Sequence, residues 1–360
     1  MVATGVHFAA RGSGGVAGQR IVIEVQRGVR WRRLGAAVAD AAGGFVARLA
    51  PRRLRRSYTL RAVAADGRVS APIVVRSRDV TLAAVGDINL GDGPRLVMSR
   101  LGLRYPWTGV AQALRRSDIA FGNLECAVST RGAPVPKEFN FRGRPAALGV
   151  VARYAGFDIL NLANNHTGDY GTAALLDTVH HVRRLGMTAV GAGGSLASAS
   201  APRVVERLGL KVAFVGFSNI LPASFFAGPG RAGTQAATPQ AIRISVRRAR
   251  RRADVVIATF HWGVERATRE DARQRAFAAA ALDAGATAVI GAHPHVLQPI
   301  HRDGRRLVAY SLGNFVFSAA SPGTTRTGIL RLRLSTRGVE GSRLAPAEIE
   351  GTRPRLLGGR

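Results

Sequence analysis

The stretch Val80-Thr81-Leu82-Ala83-Ala84-Val85-Gly86-Asp87-Ile88-Asn89-Leu90-Gly91 decides how the chain is read. Its apolar run from Val80 to Val85 marks a strand covered on both faces. The run then delivers Asp87 and Asn89 into a loop. Four further apolar runs end in the same way. Ile119-Ala120-Phe121 leads into Gly122-Asn123-Leu124-Glu125, and a strand expected over 158–162 leads into Asn164-Asn165-His166. A strand over 255–260 ends in His261-Trp262-Gly263 and Glu265, and one over 287–290 ends in His293-Pro294-His295. Open α/β sheets bind ligands at the carboxyl ends of their strands, so these separated segments are expected to meet on one edge.

Between and beyond these strands the spacing predicts helices over 107–116, 146–155, 171–185 and 272–283, and strands over 189–190, 212–217, 307–311 and 329–334. Strands alternating with helices give α/β layers. Residues 1–78 read differently. Ile21, Ile23 and Val25 alternate onto one face, and Tyr58-Thr59-Leu60-Arg61-Ala62 alternates likewise. Turn signals at Gly43-Gly44, Pro51 and Asp66-Gly67 separate the runs. Such spacing predicts a small β-sandwich. The pattern of Trp31, Gly44-Phe45 and Tyr58-Thr59-Leu60-Arg61-Ala62 loosely resembles bacterial immunoglobulin-like modules. The expected organisation is a β module over 1–78, an α/β layered domain over 79–336 and an extension over 337–360. That extension carries Gly, Pro and Arg without periodicity and reads as a partly loose tail.

With 360 residues the chain has room for two domains, each with a core. A hydrophobic content of 46% excludes disorder over the main body. No 18 consecutive residues are apolar, so no helix is expected to span a membrane. Cys126 is the only cysteine, which rules out an intrachain disulfide and leaves the redox compartment open. The opening MVATGVHFAARG has no apolar h-region, so no signal peptide is expected in this chain; a start codon further upstream is the alternative reading.

Net charge is +30, which points to an anionic partner such as an acidic polymer, anionic lipid or nucleic acid. Lys137 and Lys211 are the only lysines, so 50 of the 52 basic residues are arginine. High-GC codon bias spread over exposed surface would produce the same skew. Residues 1–78 hold 15 basic and 3 acidic residues, a charge of +12 in a short segment. No specific nucleic-acid partner is expected. Zinc-finger spacing, an RNP-like motif and a basic stripe interleaved with aromatics are all missing. Five Tyr and three Trp offer few stacking platforms.

The residue types at the strand ends suit a divalent cation. Carboxylate, amide oxygen and imidazole are ligands for Mn, Fe or Zn. The mixture is sufficient for two ions, and a pair about 3.5–4 Å apart activates water and stabilises a leaving oxygen. Each segment taken alone has a plainer reading. An Asp after a strand caps a helix or forms a turn, Asn164-Asn165-His166 could be a turn, and His261 could be a core histidine beside Trp262. His293 and His295 are more telling, because alternate residues point to the same side. Four of the eight histidines lie at such ends, whereas His7, His180, His181 and His301 read as structural.

The ordered segments Gly86-Asp87-Ile88-Asn89-Leu90-Gly91, Gly122-Asn123-Leu124-Glu125, Leu162-Ala163-Asn164-Asn165-His166 with Asp169-Tyr170-Gly171, His261-Trp262-Gly263-Val264-Glu265, Gly291-Ala292-His293-Pro294-His295 and Ser311-Leu312-Gly313-Asn314-Phe315 resemble the CapA family of capsule and poly-γ-glutamate synthesis proteins. The resemblance runs over roughly residues 80–350. That family looks like a branch of the calcineurin-like metallophosphatases. The resemblance implies a layered metallophosphatase-like α/β sandwich and a divalent metal cofactor of two ions. Asp87 and His295 would bind the first ion, Glu125 would bridge, and Asn165, His261 and His293 would bind the second. His166 would face the substrate as general acid or charge stabiliser. Asn164, Glu265 and Asn123 look like supporting or substrate contacts, and Ser311, Gly313 and Asn314 would line the same rim. Two positions depart from the superfamily pattern. Asn89 stands where a histidine is usual, and Glu125 replaces the usual bridging aspartate. Both departures weaken the expected grip on the first ion.

Lys137 persists beside the alternating Phe139 and Phe141 in a chain that has replaced nearly every other lysine. Ammonium and guanidinium are not interchangeable, so Lys137 is expected to meet a substrate carboxylate or phosphate at the mouth of the site. The function expected is a metal-dependent hydrolase or transferase acting outside the cytoplasm on an anionic cell-surface polymer or its precursor. Membrane-bound capsule synthesis proteins are its expected partners. A non-catalytic scaffold that binds acidic polymer for export or anchoring, and a cytoplasmic phosphoesterase, are the alternatives.

Overall fold

Strands that are apolar throughout need cover on both faces, and this fold provides it by stacking two sheets between helices. The computed structural model describes every residue except 50–56, 221, 320, 322 and 359–360. The chain divides into two compact units. One is Met1–Val80 with Glu206–Leu210 and Ser335–Arg337; the other is Thr81–Val205 with Lys211–Leu334 and Gly338–Arg360.

In the larger unit an eight-stranded sheet runs in the order Thr188–Val190, Ile159–Asn161, Ile119–Leu124, Val80–Ile88, Arg326–Ser335, Gly338–Glu350 and Arg353–Leu356. The short strand Asn314–Val316 pairs with the end of Val80–Ile88. A six-stranded sheet runs Arg203–Arg207, Leu210–Ser218, Val255–His261, Ala288–Ala292, Arg306–Ala309 and Ile300–Asp303. Phe121 of the first sheet stacks on Phe214 of the second at 5.7 Å, within the facing layers. The outer face of the first sheet, with Ala83, Val85 and Leu160, buries Met98, Leu114, Leu175 and Val182 from helices Asp92–Leu101, Ala111–Arg115 and Gly171–Arg184. The outer face of the second, with Val215, Val256 and Val289, buries Ile242, Val246, Phe277 and Ala281 from helices Pro239–Arg250 and Ala272–Asp283. The mixed α/β class expected from the sequence is therefore what the chain adopts.

Local chemistry fixes the helix starts. The Thr238 hydroxyl accepts from Ala241 N–H while Pro239 fills the first turn, and Asp271 and Gln274 form a reciprocal capping box. Two expectations need correction. The helix predicted over 107–116 is a 3-10 turn, Tyr105–Trp107, followed by the short helix Ala111–Arg115. Gly109 lies between them, where a Cβ would stand 2.5 Å from the Pro354 carbonyl oxygen. The supposed loose tail is ordered as the antiparallel strands Gly338–Glu350 and Arg353–Leu356, with Ala347 and Ile349 buried. Pro354 hid this strand from the sequence reading, yet Pro is tolerated at a sheet edge. Residues 359–360 of that extension lie outside the described residues.

Among the described residues the smaller unit is built of strands. Five strands run Val2–Ala3, Ile73–Arg78, Ser57–Ala64, Arg20–Arg27 and Arg30–Val38, and Phe8–Gly12 pairs with Phe45–Leu49. Ile21, Ile23, Val25, Leu49, Tyr58 and Leu60 form its core, as their alternation requires. On the other face Arg61 pairs with Glu24 at 2.8 Å and lies 4.2 Å from the centre of the Trp31 ring. The turn signal at Pro51 lies outside the described residues.

Candidate metal centre

Parallel pairing places Asn123 beside Asp87, and Ala292 beside His261, so the strand ends of both sheets open at one edge. Close backbone approaches hold the loops there. A Cβ on Gly86 would stand 1.8 Å from the Gly313 carbonyl oxygen, which accepts from Asp87 N–H at 2.9 Å. His293 and His295 adopt φ values of 98° and 59°, a left-handed backbone that costs a non-glycine residue about 1–3 kcal/mol. The cost is offset by fixation: His293 N–H donates to Asp87 Oδ2 at 3.2 Å, and Arg266 N–H donates to the Pro294 carbonyl at 2.8 Å.

Three sets of ligand atoms converge: Asp87, Glu125 and His295; Glu125, His261 and His293; and Glu265, His293 and His295. Glu125 belongs to the first two sets and is fully buried, and among the described residues no donor meets either of its carboxylate oxygens in hydrogen-bond geometry. His261 Nε2 lies 3.2 Å from Glu125 Oε1, 2.8 Å from Asn165 Oδ1 and 3.1 Å from His293 Nδ1. His295 Nδ1 lies 3.3 Å from Asp87 Oδ2. A charged carboxylate buried in this way is severely destabilising unless it takes up a proton or a cation joins it. The carboxylate, amide and imidazole donors around Glu125 fit a divalent ion.

The electrostatics agree with that fit. Burial, followed by the coulombic effect of His293 and His295, holds His261 far below its ordinary value. Burial and the neighbouring His295 push His293 down to about 3. Both rings are therefore neutral at pH 7 and offer lone pairs. Burial opposes a charge on His295 too, but the Glu125 and Asp87 carboxylates outweigh it and raise His295 to about 10. Burial and Asp87 push Glu125 well above the usual carboxylate range. In the metal-free state protons thus neutralise this pocket. Loading Zn2+ into metal-free protein at pH 7 is expected to release the protons held between His295 and Glu125, and affinity should therefore fall on acidification. Calorimetry in buffers of different ionisation enthalpy measures the release; a value of zero means that the His295–Glu125 pair holds no proton that the ion displaces.

The other residues singled out in the sequence are present at the centre but in supporting positions. The Asn123 amide donates to Asp87 Oδ1 at 2.8 Å, lies 3.2 Å from His261 Nδ1, and accepts from Asn161 at 2.8 Å. Asn164 donates to the Leu124 carbonyl and accepts from His166 and Thr167 N–H, so it shapes the loop instead of meeting substrate. Ser311 is also misassigned as a substrate contact: its buried hydroxyl donates to the Val296 carbonyl and accepts from Gly313 N–H. Asn314 lies 2.9 Å from His295 Nδ1 and donates to the Thr324 carbonyl, which orients His295. Glu265 is exposed at the rim beside His293 and His295. Asn89 does not reach the ligand set, because its Oδ1 accepts from Gly91 N–H at 2.7 Å.

Lys137 is the largest correction. Its ammonium donates to Asp169 Oδ1 and the Asn165 carbonyl, both at 2.6 Å, and lies 3.1 Å from His166 Nδ1. Its donors are directed inward, not to the mouth. The sequence reading gave Asp169 no role, yet its Oδ2 lies 2.6 Å from His166 Nδ1 and accepts from Phe141 N–H. The spacing of three residues between His166 and Asp169 was the available signal. His166 Nε2 points toward Glu125 Oε1 at 4.0 Å, and the ring stacks on Phe141 at 4.1 Å. Burial, opposed by Asp169 and reinforced by Lys137, lowers His166 below its ordinary value.

Fold and centre together define a mixed α/β protein with a buried carboxylate–histidine site of the kind that holds divalent cations. Residues 81–319 match the bacterial capsule synthesis protein PGA_cap, and the chain belongs to that family. It is 31% identical over 293 residues to the PGA biosynthesis protein CapA of Bacillus subtilis (strain 168), covering 80% of this chain and 77% of that one. It is 30% identical over 294 residues to the capsule biosynthesis protein CapA of Bacillus anthracis, covering 79% and 71%. Among solved structures, the 5'-nucleotidase precursor from Thermus thermophilus superimposes with a TM-score of 0.44 at 12% identity, over 77% of this chain and 54% of that one.

Proposed function

We propose that the chain is a metal-dependent hydrolase acting on an anionic cell-surface polymer, poly-γ-glutamate or its precursor, outside the cytoplasm and beside membrane-bound capsule synthesis proteins. The carrying observation is Glu125, whose two buried oxygens meet no donor in hydrogen-bond geometry among the described residues, within a ring of Asp87, His261, His293 and His295. Glu125 would be shared, with Asp87 and His295 on one side and His261, His293 and Asn165 on the other. Divalent ions held there supply Lewis-acid polarisation and water activation for ester or amide hydrolysis. His166, held by Asp169, presents Nε2 to the same space and would carry a proton to or from the reacting group. Among the described residues no helix is long and apolar enough to cross a membrane.

Metal content of the purified protein, native and after Mn2+ or Zn2+ loading, tests this reading beside Asp87→Ala and His293→Ala. About two ions per chain, lowered in both variants, is the expected result, and it licenses a screen of phosphoesters and γ-glutamyl amides. One ion lost only in His293→Ala would reduce the centre to a single-metal site. No specific metal under any loading sinks the hydrolase reading.

The second reading is a non-catalytic scaffold for acidic polymer. It is favoured by Asn89, whose amide oxygen is spent on the Gly91 turn, and by the +12 charge of residues 1–78. Polymer binding that survives Asp87→Ala unchanged, without hydrolysis, would support it.

A further inference from the structure

Arg183 in the last turn of helix Gly171–Arg184, Arg203 at the start of strand Arg203–Arg207 and Arg252 just after helix Pro239–Arg250 border one cavity of about 460 Å³. Among the described residues no Asp or Glu lines it, and Met187 and Ala189 are among its apolar lining. Arg203 is half-buried and fixed by donation of Nη2 to the Ser198 carbonyl at 3.1 Å. Burial, then the charge of Arg183, lowers its pKa, so like charges crowd here. The three side chains come from separate elements and do not depend on one loop for their convergence.

We propose that Arg183, Arg203 and Arg252 form an oxyanion-binding site for a carboxylate or phosphate group, separate from the metal centre. Guanidinium forks bind both groups with paired, charge-assisted hydrogen bonds, and an arriving anion would relieve the repulsion between Arg183 and Arg203. The cavity lies where strands Thr188–Val190 and Val255–His261 begin, whereas the metal centre lies where Val255–His261 ends. Seven strand residues, about 3.3 Å each, separate the two. The site itself does not rest on the hydrolase reading, because it needs no metal.

Titration calorimetry of chelated, metal-free protein at fixed ionic strength tests the site with two probes, inorganic phosphate and a penta-γ-glutamate peptide. The expected result is a single saturable site, weakened about tenfold by Arg203→Gln and by Arg183→Gln. Arg243→Gln, an exposed arginine on helix Pro239–Arg250, is the control and should bind as wild type. Tighter binding of the peptide supports a polymer-carboxylate site, and tighter binding of phosphate supports a phosphate site. Equal losses in all three variants would mean only the diffuse field of a +30 chain, and would overturn the proposal. Unchanged binding in Arg203→Gln and Arg183→Gln, or no saturable site, would overturn it as well. Thermal melts keep folding out of the answer: Arg203→Gln should melt no lower than wild type in anion-free buffer, and should lose only the phosphate- or peptide-induced rise.

Discussion

Glu125→Gln should abolish binding of both ions and, in the metal-free protein, should make the fold more resistant to denaturant as pH rises. The two effects come from one cause. Glu125 is shared by the Asp87–His295 and His261–His293 ligand sets, so a neutral amide in its place removes the negative charge common to both. Among the described residues no donor meets its oxygens in hydrogen-bond geometry, and its pKa is pushed well above the usual range by burial and by Asp87. The sign follows from proton linkage. A carboxyl with a raised folded-state pKa holds its proton more tightly when folded. Its contribution is fully present below the ordinary value of 4.5 and is lost as pH climbs toward the folded value, at about 1.4 kcal/mol per unit. Gln does not titrate, so the stability gap between variant and wild type should widen from pH 5 upward. Urea titrations of chelated protein at several pH values, beside metal analysis, give both readouts. Retention of two ions would remove Glu125 from the bridging position. Parallel pH profiles would mean that the buried carboxylate is already compensated.

The two results of that experiment bear on how the centre relates to stability. A protein whose metal-free form gains from losing Glu125 keeps that residue at a thermodynamic cost, which points to the ion and away from the fold. The same logic separates the hydrolase reading from the scaffold reading. A polymer-binding scaffold has no need for a buried carboxylate among three histidines, whereas a centre that joins the Asp87–His295 and His261–His293 sets needs a ligand shared by both.

The parts legible in the sequence were those fixed by local pattern. Val80–Val85, Val255–Phe260 and the other apolar runs announced buried strands, and the residues at their ends announced an edge rich in ligands. The direction each polar atom faces was not legible, because it depends on partners far along the chain. Asn314 meets His295, Asn123 meets Asp87 and His261, and Lys137 meets Asp169; each pairing is set by how strands and loops stack. Ser311 looked like a rim hydroxyl and is a backbone brace. The helix Pro239–Arg250 was absent from the sequence reading although Thr238-Pro239 and the buried series Ile242, Val246 and Ala249 carried its signal. The strands Gly338–Glu350 and Arg353–Leu356, the second at the sheet edge, were hidden by their Gly and Pro residues, where tertiary pairing overrides weak propensity.

Lys137→Met should destabilise the protein by about 3–5 kcal/mol, because it leaves a buried aspartate without its cation. The Lys137 side chain is 18% exposed and that of Asp169 is fully buried, so the pair is poorly screened. Asp169 would keep the Phe141 N–H and its contact with His166, which places the loss toward the lower end of that range. Lys137→Arg should rescue little. One compact ammonium reaches Asp169, the Asn165 carbonyl and the vicinity of His166 Nδ1, whereas a planar guanidinium cannot occupy that point between three groups. The pairing is isolated by adding Asp169→Asn to Lys137→Met: without a buried charge to strand, the double variant should recover part of the stability, as urea midpoints would register. His166 supplies a second readout. Lys137 helps hold its pKa down, so Lys137→Met should raise the His166 pKa, observable by NMR titration of the ring protons, while Asp169→Asn should lower it. If Lys137→Met changes stability by less than about 0.5 kcal/mol and leaves His166 unmoved, the ion pair is not holding this corner. The ammonium would then be available to an incoming carboxylate or phosphate, which is the role its survival in an arginine-rich chain first suggested.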